Sequence, residues 1–289
     1  MNPTPFDGRR RSRRAPRPPR RRPIVLALLA ALVFAASGIA HGAANSDGRF
    51  QRRESLHFAL DQNVGFDEYS GVRGSRQFEQ NVLRELEGAY DRLDALLGLR
   101  PGRKLVVTVW APDLFDERFA GLFRFPAAGF YGGSIQIRGG QRLDEALVRV
   151  LHHELVHAAL DAAAPNLVLP AWLNEGLAEW FEARSVGKRS LSGGERALLE
   201  RVARAGGLAS LAELSRPSFG GLPAQTASLA YLEAYAFIDF LAGREGERGL
   251  AELCGAILQS RSIERGLRRV HRQDLAQLEQ AFRRSLGAP

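Results

Sequence analysis

The chain of 289 residues contains one cysteine, Cys254, and one methionine, Met1. A single cysteine cannot form a disulfide within the chain, which excludes a disulfide-stapled scaffold. Charged residues make up 25% of the chain and hydrophobic residues 45%. That balance excludes wholesale disorder, a collagen-like chain and a multi-span membrane protein, and the length is sufficient to bury a core.

Most of the chain also carries no net charge. The total is +8 and the pI about 10.4, values that favour a nucleic-acid or anionic membrane partner. Residues 1–44, however, hold nine arginines and one acid, Asp7, so this leader carries the whole excess. A nucleic-acid binder built on the leader is one alternative, but it conflicts with a neutral remainder. We therefore predict no nucleic-acid partner.

An apolar run at 24–40 follows the arginines directly. A basic segment, an apolar run and small residues at 40–44 are typical of an export signal, and no cysteine follows for lipid attachment. The run has 17 residues, at the short limit for a membrane-spanning helix, so an uncleaved anchor stays open. We predict an exported protein, periplasmic or extracellular, or one anchored to the inner membrane by residues 24–40.

The order of predicted elements indicates an α+β fold. A mixed first half precedes a second half of helices broken by glycine and proline. We predict a leader at 1–44, a mixed α+β lobe at 45–185 that begins with a polar linker at 45–53, and a helical lobe at 186–289. The predicted strands are 55–60, 104–110 and the end of 129–137, and the main predicted helices are 77–97, 142–164 and 172–183.

The chemistry is concentrated in an H-E-x-x-H motif at His153, Glu154 and His157. On a helix the two histidines lie one turn apart on one face, so both imidazoles can reach one ion. Glu154 lies about 100° round the helix, close enough to hold a water. The alternative is two core histidines bonded to the backbone. His152 falls on a charged stripe with Arg149, and we predict that it lies on the surface.

A third metal ligand is predicted at Glu175, which is separated from His157 by 17 intervening residues. That interval accommodates a helix end, a proline-bounded turn and the start of a second helix. Glu179 lies one turn after Glu175 on the same face, and we predict that it orients a ligating histidine. The alternative is that both are surface acids of an amphipathic helix.

The H-E-x-x-H motif followed by W-L-N-E-G-x-A resembles the gluzincin metallopeptidases, especially the peptidase MA-like group and the aminopeptidase N type. The resemblance implies a zincin-like fold with a small mixed sheet, an edge strand and an active-site helix. It also implies one Zn²⁺ per chain, held by His153, His157 and Glu175, with Glu154 as catalytic residue and a polypeptide substrate. The segment at 231–241 is similar to the one that carries the family's transition-state tyrosine.

The match for that tyrosine falls on Tyr231, with Tyr235 as runner-up, and a packing tyrosine is the alternative. The segment at 129–137 resembles the edge strand that holds an extended substrate in these enzymes. Phenylalanines surround it, and they either line an apolar cleft or fill the core. They are Phe115, Phe119, Phe123, Phe125 and Phe130.

Two departures from the aminopeptidase N pattern limit the inference. The interval before Glu175 is one residue shorter, and the G-x-M-E-N element that holds a free N-terminus is absent. We therefore expect a zinc metallopeptidase that works outside the cytoplasm and is not a strict aminopeptidase. The alternative is a catalytically silent or weakly active envelope protein of the same fold that binds peptides or partners.

Overall fold

The computed structural model describes residues 50–63, 74–124, 126–139 and 142–288. The predicted leader, its apolar run at 24–40 and Phe125 lie outside these ranges. Within them are strands β1 (Phe50–Glu54), β2 (Phe58–Asn63), β3 (Leu105–Trp110), β4 (Gly129–Tyr131) and β5 (Ile135–Arg138), and helices α1 (Gly74–Leu97), α2 (Pro112–Arg118), α3 (Glu145–Ala163), α4 (Ala171–Ser185), α5 (Gly193–Arg204), α6 (Ala224–Ser260), α7 (Ile263–His271) and α8 (Leu275–Ser285). No helix in the described ranges is both long enough and apolar enough to cross a membrane.

The strands form one mixed sheet in the order β1-β2-β3-β5-β4. The central pairs β2/β3 and β3/β5 are parallel, and the outer pairs β1/β2 and β4/β5 are antiparallel. The β-branched sequence of β3 suits this central position, because its side chains are buried on both faces. The sheet and the helices that follow it confirm the predicted α+β class.

Helices α1 and α3 pack in the core that the sheet helps to form. The side chains of α1 that the 3.6-residue period predicted as one apolar side are all buried, which confirms that prediction: Phe78, Val82, Leu86, Leu93 and Leu97. The same apolar core continues through α4 and α6 to Phe282 in α8. The predicted domain division at 185 stays a prediction.

One local prediction was wrong, and one helix was missed. Part of the predicted polar linker at 45–53 is strand β1, whose pairing with β2 includes an ion pair between Arg52 and Asp61 at 2.9 Å. Polarity there reflects an edge strand with one solvated side. Helix α2 was also missed, since it is short and begins with Pro112, a residue favoured in a first helical turn.

Candidate metal centre

Helix α3 presents the H-E-x-x-H motif to the protein interior. Asp144 caps its start by accepting a hydrogen bond from the backbone N–H of Leu147 at 2.9 Å, which fixes where the helix begins. Edge strand β4 crosses close to it, because a Cβ built on Gly129 would lie 2.7 Å from a methyl of Val150. His153 is 1% exposed and lies in this buried stretch.

Helix α4 brings Glu175 to the two histidines. One oxygen of its carboxylate, Oε2, lies 3.5 Å from Nε2 of His153 and 3.4 Å from Nε2 of His157. The three donor atoms lie within 4.8 Å of one another, and all three residues are buried. The predicted ligand residues therefore converge on one point.

The convergent atoms have no hydrogen-bond partner among the described residues. This holds for Nε2 of both histidines and for both oxygens of Glu175. Burying unpaired polar atoms costs free energy, so a cluster of them facing each other indicates a ligand that satisfies them together. Two ligands bound about 2.0–2.1 Å from one tetrahedral ion lie about 3.4 Å apart, which is the separation found here. The donor set therefore fits a divalent metal.

The other ring nitrogen of each histidine is held by the protein. Nδ1 of His157 lies 3.1 Å from Oδ1 of Asn174, and Nδ1 of His153 lies 3.0 Å from Oε2 of Glu182. Arg149 donates to the other oxygen of Glu182 at 2.7 Å. Since both Nδ1 atoms donate to oxygens, both Nε2 lone pairs face the convergence point, as ligation requires.

Glu182 occupies the place in which we predicted Glu179. Oε1 of Glu179 lies 3.9 Å from Nδ1 of His153, beyond hydrogen-bond distance. The two acids and Glu175 share one face of α4, so either spacing brings a carboxylate near the histidine. Burial, with Glu182 nearby, raises the pKa of Glu179 to about 8. Glu182 could have been found from the sequence, because it is a third acid at helical spacing after Glu175 and Glu179.

The N-E-G tripeptide at 174–176 has a physical role at each position. Asn174 orients His157, and Glu175 faces the ligand cluster. A Cβ built on Gly176 would lie 2.7 Å from the backbone oxygen of Ala234 in α6. The glycine therefore lets α4 approach α6 closely enough to fix the position of Glu175. Sequence reasoning assigned no role to Asn174, although it adjoins the predicted ligand.

His152 is buried, contrary to the prediction that it lies on the surface. Its Nε2 is 2.8 Å from Glu85 and 3.1 Å from Arg92, both on α1, and its ring stacks on Phe181 of α4. The charged stripe of α3 thus faces two neighbouring helices in addition to solvent. His152 therefore belongs to the packing of α3 against α1 and α4 beside the motif.

Glu154 lies beside the ligand cluster and is 2% exposed. Its Oε2 has no hydrogen-bond partner among the described residues. Burial raises the pKa of Glu154 to about 7, partly offset by His153 and His157. Burial alone would also raise the pKa of Glu175, but the same two imidazoles outweigh it and lower that pKa. The two neighbouring carboxylates therefore differ in proton affinity.

The two tyrosines considered as oxyanion donors lie one turn apart on α6. Tyr231 is buried with its ring edge-on to Phe219, at 5.1 Å between centroids. The ring of Tyr235 lies 4.4 Å below the ammonium of Lys188. Burial and the charge of Asp239 raise the pKa of Tyr235 well above its usual value. Lys188 follows the end of α4, and the buried hydroxyl of Tyr235 has no hydrogen-bond partner among the described residues. The choice of Tyr231 over Tyr235 as oxyanion donor stays a prediction.

A family model described as the peptidase MA superfamily matches residues 114–288, more than half of the chain. The chain belongs to the peptidase MA superfamily. The matched residues include most of α2, the edge strand, the ligand cluster and the helical half. The match confirms the resemblance read from the motifs. The small mixed sheet and the helices that follow agree with the zincin-like fold.

Membership also supports a metallopeptidase-like function, with polypeptides as the class of substrate. The buried group of His153, His157 and Glu175 could hold the metal of such a peptidase MA protein. No curated protein sequence matches the chain significantly.

Proposed function

We propose that this peptidase MA protein is a zinc-dependent peptidase that hydrolyses polypeptides outside the cytoplasm. The observation that carries the proposal is the convergence of two unpaired imidazole Nε2 atoms and an unpaired carboxylate in a buried site. Two nitrogens and one oxygen are a donor set that catalytic zinc takes, with a fourth position left for water or substrate. We expect one Zn²⁺ per chain.

Zinc held by these residues supplies Lewis acidity, which polarises a peptide carbonyl and makes water more acidic at neutral pH. Glu154 is the general base that accepts a proton from the attacking water. The same carboxyl then passes the proton to the leaving amine. Tyr231 donates a hydrogen bond to the oxygen that gains charge, with Tyr235 as the alternative donor.

The backbone of edge strand β4 supports the proposal of an extended substrate. Arg138 donates to the backbone oxygen of Ala128 at 2.8 Å, and Gly132 donates to that of Ser134 at 3.0 Å. Backbone groups alternate in direction along an antiparallel strand, so those of Gly129 and Tyr131 point away from β5. These groups can pair with a peptide that lies along β4.

Metal analysis and one substitution test the proposal. Protein purified without chelators should contain about one zinc per chain. Glu154→Gln should keep that zinc and lower hydrolysis of an unfolded polypeptide by a factor of about 10²–10⁴. Glu145→Gln, an exposed change on the same helix, is the matched control and should retain both properties. Protein without zinc, or undiminished hydrolysis by Glu154→Gln, contradicts the proposal.

The two tyrosines can be separated by a pair of variants. Tyr231→Phe should lower kcat by about 10²-fold, the usual loss for one oxyanion donor, with the zinc content unchanged. Tyr235→Phe should lower it much less. The reverse order of effects would assign the role to Tyr235.

A second candidate is a peptide-binding envelope protein with little or no hydrolytic activity. The outward backbone groups of β4 favour it, because peptide capture on an edge strand needs no chemistry. If a strain that carries Glu154→Gln in place of the wild-type gene keeps the biological function, that result would support this candidate. Loss of function in that strain would support hydrolysis.

The location outside the cytoplasm rests on the leader at 1–44 and its apolar run. Fractionation of the producing cells, followed by N-terminal sequencing of the recovered protein, tests it. A new N-terminus near residues 40–44 would mean cleavage, and an intact leader in the membrane fraction would mean an anchor. Protein with an intact leader in the cytoplasm contradicts the proposed location.

A further inference from the structure

The two faces of edge strand β4 have different surroundings. Tyr131 donates to Asp161 of α3 at 2.6 Å, and Gly129 lies against Val150 of the same helix. Phe130 points to the opposite face, as expected for the residue between them. There its ring meets Phe119 and Phe123 at centroid distances of 4.8 and 5.5 Å. One face of the strand therefore belongs to α3, and the other to an aromatic cluster.

A cavity of about 320 Å³ lies in this cluster, between α2 and the segment that leads into β4. Phe119, Phe123, Pro126 and Ala127 are among the residues that line it. We call this cavity the aromatic cleft. It is large enough for a phenyl or leucyl side chain, and it lies at the low end of the range for ligand pockets.

The aromatic cleft is only partly closed by the core. Phe115 and Phe130 are buried, whereas Phe119 and Phe123 are half-buried. Asp116 at its margin is neutralised by Arg138, which donates to both carboxylate oxygens at 2.8 Å. Arg124, which is exposed, also lines the cleft. The rings of Phe119 and Phe123 give an apolar side chain a surface to pack on, and the acid at the margin is already paired.

The register of β4 indicates what reaches the cleft. Because Gly129 and Tyr131 turn their backbone groups outward, a strand added to this edge pairs with those two residues. In an antiparallel arrangement, the added residue opposite Phe130 then forms a non-hydrogen-bonded pair with it. Side chains of such pairs lie on the same face and close together. That side chain is directed toward the aromatic cleft.

We propose that the aromatic cleft is a specificity pocket that takes an aromatic or large aliphatic side chain of an extended polypeptide laid along β4. The inference rests on the proposed function for the use of such a polypeptide, and it adds the class of side chain selected. It also assigns α2 and the segment after it to substrate selection.

The test uses peptide binding by the full chain carrying Glu154→Gln, with the metal bound. The probes are labelled peptides that differ at one central position, which is Phe, Leu, Ser or Asp. We expect the Phe and Leu peptides to bind about tenfold more tightly than the Ser and Asp peptides, the usual effect of filling an apolar pocket. Equal binding of all four peptides, or no measurable binding of any, overturns the proposal.

Variants at neighbouring positions identify the pocket. Phe123→Ala should abolish the preference for Phe, and Phe123→Leu should restore part of it. Leu122→Ala is the matched control, because Leu122 is 41% exposed and does not line the cleft. Thermal unfolding of each variant verifies the fold. If Leu122→Ala removes the preference as strongly as Phe123→Ala, the assignment is wrong.

Cleavage-site profiles of the chain with Glu154 intact separate this inference from the proposed function. Hydrolysis with no apolar preference at any position leaves the peptidase proposal in place and overturns the pocket. Absence of hydrolysis, together with peptide binding that depends on Phe123, removes the peptidase proposal and keeps the pocket.

Discussion

Several buried carboxylates among the described residues have an unpaired oxygen, and two of them, Glu175 and Glu233, have contrasting surroundings. Glu175 faces two imidazoles whose Nε2 atoms are also unpaired. Glu233, in the helical half, has one unpaired oxygen. Its other oxygen accepts a hydrogen bond from the backbone N–H of Ala209 at 3.1 Å, beside Arg283.

The comparison shows that a buried acid alone does not indicate a metal site. Glu175 is surrounded by neutral donors with lone pairs, which an ion can share. Glu233 instead has a backbone N–H bonded to one oxygen and the positive charge of Arg283 nearby, and no imidazole nitrogen pairs with it among the described residues. Its pKa is raised to about 7 by burial, and the N–H of Ala209 offsets this only in part. The surroundings of each acid therefore distinguish ligation from simple burial.

Among the substitutions that test this comparison, removal of one imidazole should have the largest effect on zinc content and activity. His157→Ala should remove zinc from the purified protein and lower hydrolysis by at least about 10³-fold, because two ligands do not hold a catalytic ion. Glu233→Gln should keep about one zinc per chain. Metal analysis by mass spectrometry measures both. Full zinc content in His157→Ala would mean that the ligands are elsewhere.

A pair of variants on α4 tests the outer support of His153. Glu182→Gln should weaken zinc binding or activity by about 10–100-fold, since it breaks the hydrogen bond that orients the ring. Glu179→Gln should have a smaller effect. Competition with a chelator measures the affinity. A larger loss in Glu179→Gln would restore the assignment that we first made from the sequence.

A glycine pair tests the close approach of α4 to α6. Gly176→Ala should lower the free energy of unfolding by about 2 kcal/mol, because the added methyl meets the backbone of Ala234. Gly255→Ala, at an exposed position of α6 with nothing within 4 Å, should raise it by up to about 1 kcal/mol. Denaturant unfolding compares the two. Equal stability changes would contradict the role given to Gly176.

Glu233 should have the smallest effect on the metal site, and its effect on stability depends on pH. The folded chain holds the Glu233 proton with a pKa of about 7, so wild-type stability falls as pH rises from the unfolded value toward 7. Glu233→Gln removes that titration. Its free energy of unfolding should exceed that of the wild type by up to about 3 kcal/mol at pH 8 and be about equal at pH 4. A constant difference across this range would contradict the assignment.

The three residues that converge in the buried cluster could be located from the sequence because each one lies within a short, regular pattern. His153 and His157 needed only the helical period, and Glu175 came from the next apolar helix. The support of the site was harder to predict, since the pairing of His153 with Glu182 depends on how α4 lies against α3. His152 was mispredicted for the same reason, because the period of one helix does not reveal which neighbours cover it. The aromatic cleft depends on the packing around β4. The sequence therefore left open whether the phenylalanines line a cleft or fill the core.

Cys254 has a consequence for how this protein is made. The thiol is buried in α6, and burial raises its pKa to about 12. It therefore stays protonated and sheltered, and reacts poorly with oxidants or other thiols. With no other cysteine in the sequence, the covalent structure of the folded chain is the same in reducing and oxidising surroundings. Folding and purification should need neither an oxidant nor a disulfide isomerase.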